Sequence, residues 1–119
     1  MTLFETGRFT MASGQIGWWK IECDALTDDD WNTLALMARD ILPPYGDVVG
    51  VPRGGLKFAS ALRHFATGGP RLVADDVYTT GKSLGAFMEP EDIGCVAFAR
   101  SPTPQNIFPV FLLSQRRTT

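Results

Sequence analysis

Two adjacent acidic residues, followed by a turn rich in hydroxyl groups, carry the clearest chemistry in this sequence. Asp75 and Asp76 follow the apolar residues 72–74, and residues 79–83 read Thr-Thr-Gly-Lys-Ser. Backbone N–H groups and hydroxyls in such a turn can surround a phosphate, and the N-terminus of a following helix adds positive potential. Carboxylates directly upstream would repel that phosphate, so we expect them to accept hydrogen bonds from a sugar diol. A phosphate held beside a diol describes a ribose 5-phosphate.

This turn has two other interpretations. Gly81, Lys82 and Ser83 match the end of a nucleotide P-loop, but that motif requires a glycine five positions before its second glycine. Asp76 stands at that position, which excludes a P-loop. A solvated turn with no ligand stays open as the alternative, although it would need the Thr-Thr-Gly-x-Ser pattern to arise by chance.

A second polar segment follows an earlier apolar run. Residues 48–51 are followed by Pro52, Arg53, Gly54 and Gly55. Exposed amides beside a guanidinium suit a cluster of anionic oxygens such as pyrophosphate. Taken alone, a packed turn with a surface arginine explains this segment equally well.

A third polar position is Arg100, which follows the apolar run 94–99. A guanidinium there could bind a carboxylate through two parallel hydrogen bonds. A solvated arginine at the end of a strand is an equally good interpretation.

Alternating strands and helices must position these three segments. Strands are predicted at 8–12, 18–23, 47–51, 72–75, 94–99 and 107–113, and helices at 27–42, 56–65 and 82–88. The first helix is predicted to bury an apolar face formed by Trp31, Leu34, Ala35, Ala38, Ile41 and Leu42. The alternation predicts an α/β fold with a mostly parallel central sheet flanked by helices. Ligands bind at the carboxyl ends of the strands in such sheets, so we expect the three segments to converge on one edge.

Composition limits the class of protein. With 119 residues, one domain is expected, divided into N-terminal hood strands (1–26), a core (27–113) and a tail (114–119). A formal net charge of −2 gives no broad basic surface for nucleic acid. No apolar run is long enough to span a membrane and no signal peptide is evident, which predicts a cytoplasmic protein. Cys23 and Cys95 are predicted to be buried thiols, with a disulfide as the lesser alternative.

The motif from Leu72 to Ser83 resembles the phosphoribosyl pyrophosphate (PRPP) binding motif of type I phosphoribosyltransferases, which runs as apolar residues, two acidic residues and T-T-G-x-S. Residues 50–55 are similar to the pyrophosphate loop of that family, a likeness that implies a non-proline cis peptide bond between Pro52 and Arg53. Residues 9–14 and 18–22 are similar to the N-terminal hood of the orotate phosphoribosyltransferases, a branch of the family.

The resemblance implies a three-layer fold and transfer of ribose 5-phosphate from PRPP to a nitrogenous base, orotate or a related pyrimidine, with release of pyrophosphate. It implies Mg²⁺ held through PRPP, with Asp75 as the candidate protein ligand. The implied catalytic residues are Asp75, Asp76 and Arg53, and the implied pyrophosphate site is Pro52, Arg53, Gly54 and Gly55. Base binding is implied for Arg100 and Ser13. The implied PRPP site is Asp75, Asp76, Val77, Tyr78, Thr79, Thr80, Gly81, Lys82 and Ser83.

One departure from the family keeps alternatives open. Members carry a further strand and a long basic lid loop before the PRPP motif, whereas here only residues 67–70 separate the predicted helix from the motif strand. Lid closure excludes water and completes an active site. A protein that binds PRPP or a nucleotide and regulates a partner, without turnover, is therefore the second hypothesis. A purely structural protein is the third, and the resemblance also allows a homodimer.

Overall fold

The structure is a computed structural model that describes residues 1–10, 14 and 16–113. A four-stranded parallel sheet lies at its centre, in the order β3-β4-β5-β6, and a separate antiparallel hairpin is formed by β1 and β2. Single 3-10 turns occupy Cys23–Ala25 and Arg63–Phe65. The strands are β1 (Phe4–Thr10), β2 (Ile16–Ile21), β3 (Val48–Gly50), β4 (Leu72–Tyr78), β5 (Ile93–Ala99) and β6 (Ile107–Leu112), and the helices are α1 (Asp28–Arg39), α2 (Leu56–Leu62) and α3 (Lys82–Phe87).

Helices cover both faces of the sheet. On one face Leu72 and Ala74 of β4 pack in a core with α1 and α2, which includes Trp31 and Phe58. On the other face Val73 packs in a second core with Leu84 of α3. Successive residues of a strand point to opposite faces, so β4 contributes to both cores. The predicted α/β fold, with a parallel sheet between two helical layers and a small N-terminal hairpin, is confirmed.

Helix α1 begins at a capping box. Thr27 and Asp30 form a capping box: the Thr27 hydroxyl accepts from the Asp30 amide at 3.1 Å, and the Asp30 carboxylate accepts from the Thr27 amide at 2.9 Å. The predicted buried face is correct for Trp31, Leu34, Ala35 and Ala38. It was wrong for Ile41, which lies beyond the last helical residue and is 45% exposed.

Strand β4 is longer than predicted, and this changes where Asp76 lies. The strand continues through Tyr78, because Val77 and Tyr78 still pair with Phe98 and Ala99 of β5. Asp76 therefore lies within the strand, as Asp75 was predicted to, and not in the turn after it. Strand β1 also differs, since it begins at Phe4 rather than near residue 8.

The two ends of the sheet, where its strands begin and where they finish, carry different side chains. At the edge where the strands begin, Arg71 donates two hydrogen bonds to Asp92, at 3.1 and 2.5 Å, and joins the start of β4 to the start of β5. At the other edge lie the loops that follow β3 and β4, together with Arg100. Cys23 and Cys95 are buried free thiols, as predicted. Among the described residues, no helix has the length and apolar character needed to cross a bilayer.

Candidate functional site

The acidic pair occupies the fourth and fifth positions of β4, toward the carboxyl end of this inner strand. Asp75 is 6% exposed, and its carboxylate accepts from the Asp76 amide at 2.8 Å. The Asp76 carboxylate accepts from the Val77 amide, also at 2.8 Å. Burial raises the pKa of Asp75, and a hydrogen bond with the Asp76 carboxyl and the negative charge of that group raise it further. The two groups therefore form a pair in which Asp75 holds a proton more readily than an ordinary aspartate.

A cavity of about 490 Å³, here named the α3 cavity, opens beside Asp75. Its walls come from one continuous segment, residues 77–84, together with Asp75. The side chains of Thr79, Thr80 and Ser83 are exposed at this loop. A cavity bordered by three hydroxyl groups and the backbone of a glycine turn can accept a phosphate through several hydrogen bonds.

Gly81 gives this loop its shape. Its φ of +80° lies in the left-handed region, and a Cβ there would stand 2.7 Å from the Tyr78 ring. A side chain at this position would therefore be strained in its backbone and would also collide with a buried ring. The Gly81 carbonyl accepts from the Gly85 amide at 2.8 Å, which ties the loop to the first turn of α3.

The loop between β3 and α2 reaches the acidic pair from the neighbouring strand. The Val51 amide donates to the Ala74 carbonyl at 2.9 Å, which fixes the start of the loop against β4. The peptide bond between Pro52 and Arg53 is cis, as predicted. A Cβ on Gly54 would overlap the Asp76 carboxylate, so only glycine allows the loop to approach this closely.

A second cavity of about 370 Å³, here named the α2 cavity, lies between this loop, the 3-10 turn, α1 and β4. Asp76 forms part of its wall, whereas Asp75 lines the α3 cavity. Each cavity is therefore bordered by one of two carboxyl groups that are adjacent in sequence. The lining residues of the α2 cavity are Cys23, Asp24, Trp31, Arg53, Gly54, Leu56, Lys57 and Asp76.

Arg100 connects the sheet edge to the hairpin. Its amide donates to the Tyr78 carbonyl at 2.8 Å, which places it beside the α3 loop. Its guanidinium donates to the Trp19 carbonyl at 3.0 Å and stacks over the Trp19 ring, with 3.7 Å between the guanidinium carbon and the ring centroid. Ser101 follows, and its hydroxyl donates to the Thr79 carbonyl at 2.6 Å. Burial lowers the pKa of Arg100.

The structure brings most of the predicted site residues together on one sheet edge. The PRPP-motif residues 75–83 form the α3 cavity and the acidic pair, and Pro52, Arg53, Gly54 and Gly55 form the loop beside them. Arg100 lies at the same edge, held by the hairpin. Ser13 lies outside the described residues, as do residues 114–119 of the predicted tail.

Five residues of the α2 cavity were not predicted to belong to the site. Leu56 and Lys57 directly follow the predicted pyrophosphate loop, whereas Cys23, Asp24 and Trp31 lie far from it in sequence. Cys23 and Trp31 were assigned to the core, and Asp24 was not singled out. Burial raises the pKa of Cys23 to about 12, and the charge of Asp76 adds to this effect, so Cys23 remains a thiol. No local motif marks Cys23, Asp24 or Trp31, because they reach the cavity only through the packing of α1 and the 3-10 turn Cys23–Ala25.

The acidic pair is also the group best suited to a metal ion. Within the described residues, no three His, Cys, Asp or Glu side chains converge to form a metal-ligand set. Two carboxyl groups beside a cavity lined by hydroxyl groups fit Mg²⁺, which keeps several of its waters and is commonly bound by one or two carboxylates together with substrate phosphates.

Comparison with known proteins identifies the fold. No family model matches the sequence, and a search of curated proteins gave no match. In structure the chain is similar to orotate phosphoribosyltransferase from Aeropyrum pernix, with a TM-score of 0.74 and 20% identity over 91% of this chain and 86% of that one. It is similar to orotate phosphoribosyltransferase from Mycobacterium tuberculosis H37Rv, with a TM-score of 0.64 and 18% identity over 90% of this chain and 87% of that one. It is also similar to UMP synthase from Leishmania donovani, with a TM-score of 0.67 and 19% identity over 82% of this chain and 29% of that one. From this likeness and the sheet order described above, the chain has the fold of the type I phosphoribosyltransferases.

Proposed function

We propose that this protein transfers the ribose 5-phosphate of PRPP to a nitrogenous base, orotate or a related pyrimidine, and releases pyrophosphate. One observation carries the proposal: two cavities of about 490 and 370 Å³ are bordered by neighbouring carboxyl groups, Asp75 in the first and Asp76 in the second. PRPP has the same three parts in the same order, with a 5-phosphate, a ribose diol and a pyrophosphate.

Each part of PRPP is assigned to the groups that suit it. The 5-phosphate occupies the α3 cavity, where it accepts hydrogen bonds from backbone amides and from the hydroxyls of Thr79, Thr80 and Ser83. The ribose lies across Asp75 and Asp76, whose oxygens accept hydrogen bonds from its hydroxyls. The pyrophosphate lies toward Arg53 and the adjacent glycines, since a guanidinium binds anionic oxygens through paired hydrogen bonds.

The reaction needs positioning and charge stabilisation more than proton transfer. A ring nitrogen of the base attacks C1 of the ribose as the bond from C1 to the pyrophosphate oxygen breaks, and the electron pair of that bond leaves with pyrophosphate. Holding the base, C1 and the leaving group in line removes much of the entropic barrier. Arg53 stabilises the charge that develops on the leaving group, and the acidic pair stabilises the cationic character that develops on the sugar. Mg²⁺, when bound, would supply further neutralisation of pyrophosphate, held through substrate oxygens and Asp75.

The base is assigned to the side of the site that faces the hairpin. Arg100 provides a cation there, and the guanidinium is oriented by the Trp19 carbonyl and ring. An oriented guanidinium favours a base that carries a carboxylate, which supports orotate over an uncharged pyrimidine.

A second candidate function is supported by the connection between α2 and β4. Only residues 66–71 join the 3-10 turn Arg63–Phe65 to β4, and this segment is too short to fold over the two cavities. A site that stays open to water is expected to bind PRPP more readily than to turn it over. A PRPP-binding or nucleotide-binding regulator on the same fold is therefore the alternative.

A turnover assay tests the proposal. The protein is mixed with Mg²⁺, PRPP and orotate, and orotate absorbance and pyrophosphate release are followed together. The double variant Asp75→Asn/Asp76→Asn is expected to lose activity by at least about a hundredfold, because the ribose diol and the developing charge lose their acceptors. The double variant Asp29→Asn/Asp40→Asn is the matched control, since it removes the same charge from exposed positions of α1 and its C-cap.

Calorimetry with PRPP separates the two candidate functions. Turnover that the site variant abolishes and the control retains supports the transferase. PRPP binding without turnover of any pyrimidine base supports the regulator. A protein that shows neither turnover nor PRPP binding contradicts both.

A further inference from the structure

The basic side chains of the described residues differ in whether they are already engaged. Several are held by carboxylates or backbone carbonyls in the folded chain and do not line the α2 cavity. These are Arg71 with Asp92, Arg63 with the Val48 carbonyl, Arg100 with the Trp19 carbonyl, and Lys20 with Glu5 and Glu22.

Lys57 is different, because its ion pair is weak and it lines the α2 cavity. Its ammonium lies 4.0 Å from the Asp28 carboxylate, and the two side chains are 65% and 90% exposed. An ion pair between groups this exposed contributes little, so the ammonium is available to a stronger anion. Lys57 forms the cavity wall together with Arg53 and Gly54.

A second cation beside Arg53 is needed to offset the negative charges around the α2 cavity when pyrophosphate binds. Asp24 and Asp76 lie in the same wall as Arg53, so one guanidinium faces two carboxylates before any ligand arrives. A pyrophosphate group adds several negative charges to that space. The short connection 66–71 offers Arg71 as its basic residue, and Arg71 is bound to Asp92 at the opposite sheet edge. Lys82 lines the α3 cavity instead.

We propose that Lys57, from the first turn of α2, binds the pyrophosphate group beside Arg53 and supplies positive charge that the short α2–β4 connection does not. The inference rests on the proposed function, because it assigns one residue to one part of PRPP. The Leu56 amide donates to the Arg53 carbonyl at 3.3 Å, so a single turn of chain separates the two cations. Lys57 thus acts as a binding and specificity residue for the leaving group.

Binding of the separate parts of PRPP tests this assignment. Calorimetric titrations use Mg²⁺–pyrophosphate and, separately, ribose 5-phosphate as probes. Lys57→Gln is expected to raise the Kd for Mg²⁺–pyrophosphate about fivefold, the loss expected for one partly exposed charged hydrogen bond. The Kd for ribose 5-phosphate should change by less than about twofold, because that probe occupies the α3 cavity.

Two further variants distinguish a contact from a general effect. Arg39→Gln removes the same charge from the end of α1, where Arg39 lies over the Phe65 ring, and should leave both Kd values unchanged. Lys57→Arg should restore pyrophosphate binding, since it keeps the cation. Thermal unfolding of each variant checks that the fold is intact.

The outcomes separate this inference from the proposed function. Wild-type binding of pyrophosphate that Lys57→Gln leaves unchanged would overturn the role of Lys57 and leave the transferase proposal standing. Equal weakening by Lys57→Gln and Arg39→Gln would also overturn it, by showing a long-range charge effect. A wild-type protein that binds neither PRPP nor pyrophosphate would contradict the proposed function itself, and the role of Lys57 with it.

Discussion

The two cavities at the sheet edge are built in different ways. The α3 cavity is formed by one stretch of chain, residues 77–84, with Asp75 beside it. The α2 cavity is assembled from the 3-10 turn, α1, the β3–α2 loop, α2 and β4, whose lining residues extend from Cys23 to Asp76. The first is therefore set by local backbone geometry, and the second depends on how distant elements pack.

This difference should appear in how each cavity responds to change. A substitution in the α3 loop should alter that loop and leave the rest of the site in place. A substitution at the α2 cavity should propagate, because several elements share its walls. The acidic pair contributes one carboxyl group to each cavity, so a ligand that fills both cavities must pass this pair.

The largest effect is expected for Gly54→Ala. The new methyl group would overlap the Asp76 carboxylate, which is itself held by the Val77 amide at 2.8 Å and cannot move away freely. The loop and the carboxylate must separate, which disturbs Arg53 and Asp76 at once. We expect turnover to fall by about a hundredfold, as when a group that stabilises transition-state charge is removed.

Steady-state kinetics with PRPP and orotate, together with pyrophosphate binding, measure the effect of Gly54→Ala. Gly85→Ala is the matched control, because a Cβ on Gly85 meets no atom within 4 Å. Full activity of Gly54→Ala would show that the site tolerates separation of the β3–α2 loop from Asp76. It would contradict the view that the two cavities depend on each other.

A smaller and more local effect is expected for Gly81→Ala. The left-handed φ of +80° costs about 1 kcal/mol for a residue with a side chain, and the methyl group would also press on the Tyr78 ring. The α3 loop should open, and the Kd for ribose 5-phosphate should rise about tenfold, the ratio that about 1.4 kcal/mol produces. The Kd for pyrophosphate should stay the same. A parallel loss of both ligands would contradict the view that the α3 cavity is built locally.

The same contrast explains what the sequence could predict. The strand, the acidic pair and the Thr-Thr-Gly-Lys-Ser turn are contiguous, so the sequence alone was enough to predict that they form one site. The cis bond at Pro52–Arg53 was predicted from the family likeness of another contiguous loop. The alternation of strands and helices was enough to predict the parallel sheet. Cys23 and Trp31 could not be placed at the site, because apolar residues near a helix start carry no sign of which cavity they will line. The stacking of Arg100 on Trp19 joins residues 81 positions apart and left no local pattern.

The smallest effect concerns the stability of the acidic pair, and it sharpens the contrast between this sheet edge and the opposite one. Asp75 has a folded-state pKa raised chiefly by burial, so folding favours its protonated form. Below the unfolded pKa of about 4 the group has no effect on stability. As the pH rises from there through the raised folded-state pKa, ionisation progressively destabilises the folded protein. Asp75→Asn should therefore stabilise the protein at pH 7.5 by on the order of 1 kcal/mol, since the carboxyl borders an open cavity and keeps some hydration. The gain should shrink toward zero at pH 4.5.

Urea unfolding at the two pH values measures this change, and Asp92→Asn provides a control of opposite sign. The hydrogen bonds from Arg71 lower the pKa of Asp92, so its stabilising contribution is present above its unfolded pKa and is lost as the pH falls through the folded-state value. Asp92→Asn should destabilise the protein most at pH 7.5, where Asp75→Asn stabilises it.

Two buried carboxylates at opposite ends of the strands of one sheet would then have opposite effects on folding. The carboxylate paired with arginine serves the fold. Asp75, which forms no ion pair with the basic residues that the structure describes, retains its electrostatic cost for a ligand to relieve. Destabilisation by Asp75→Asn at pH 7.5 would mean that Asp75 is a structural acceptor, and would remove the reason to treat the acidic pair as a ligand site.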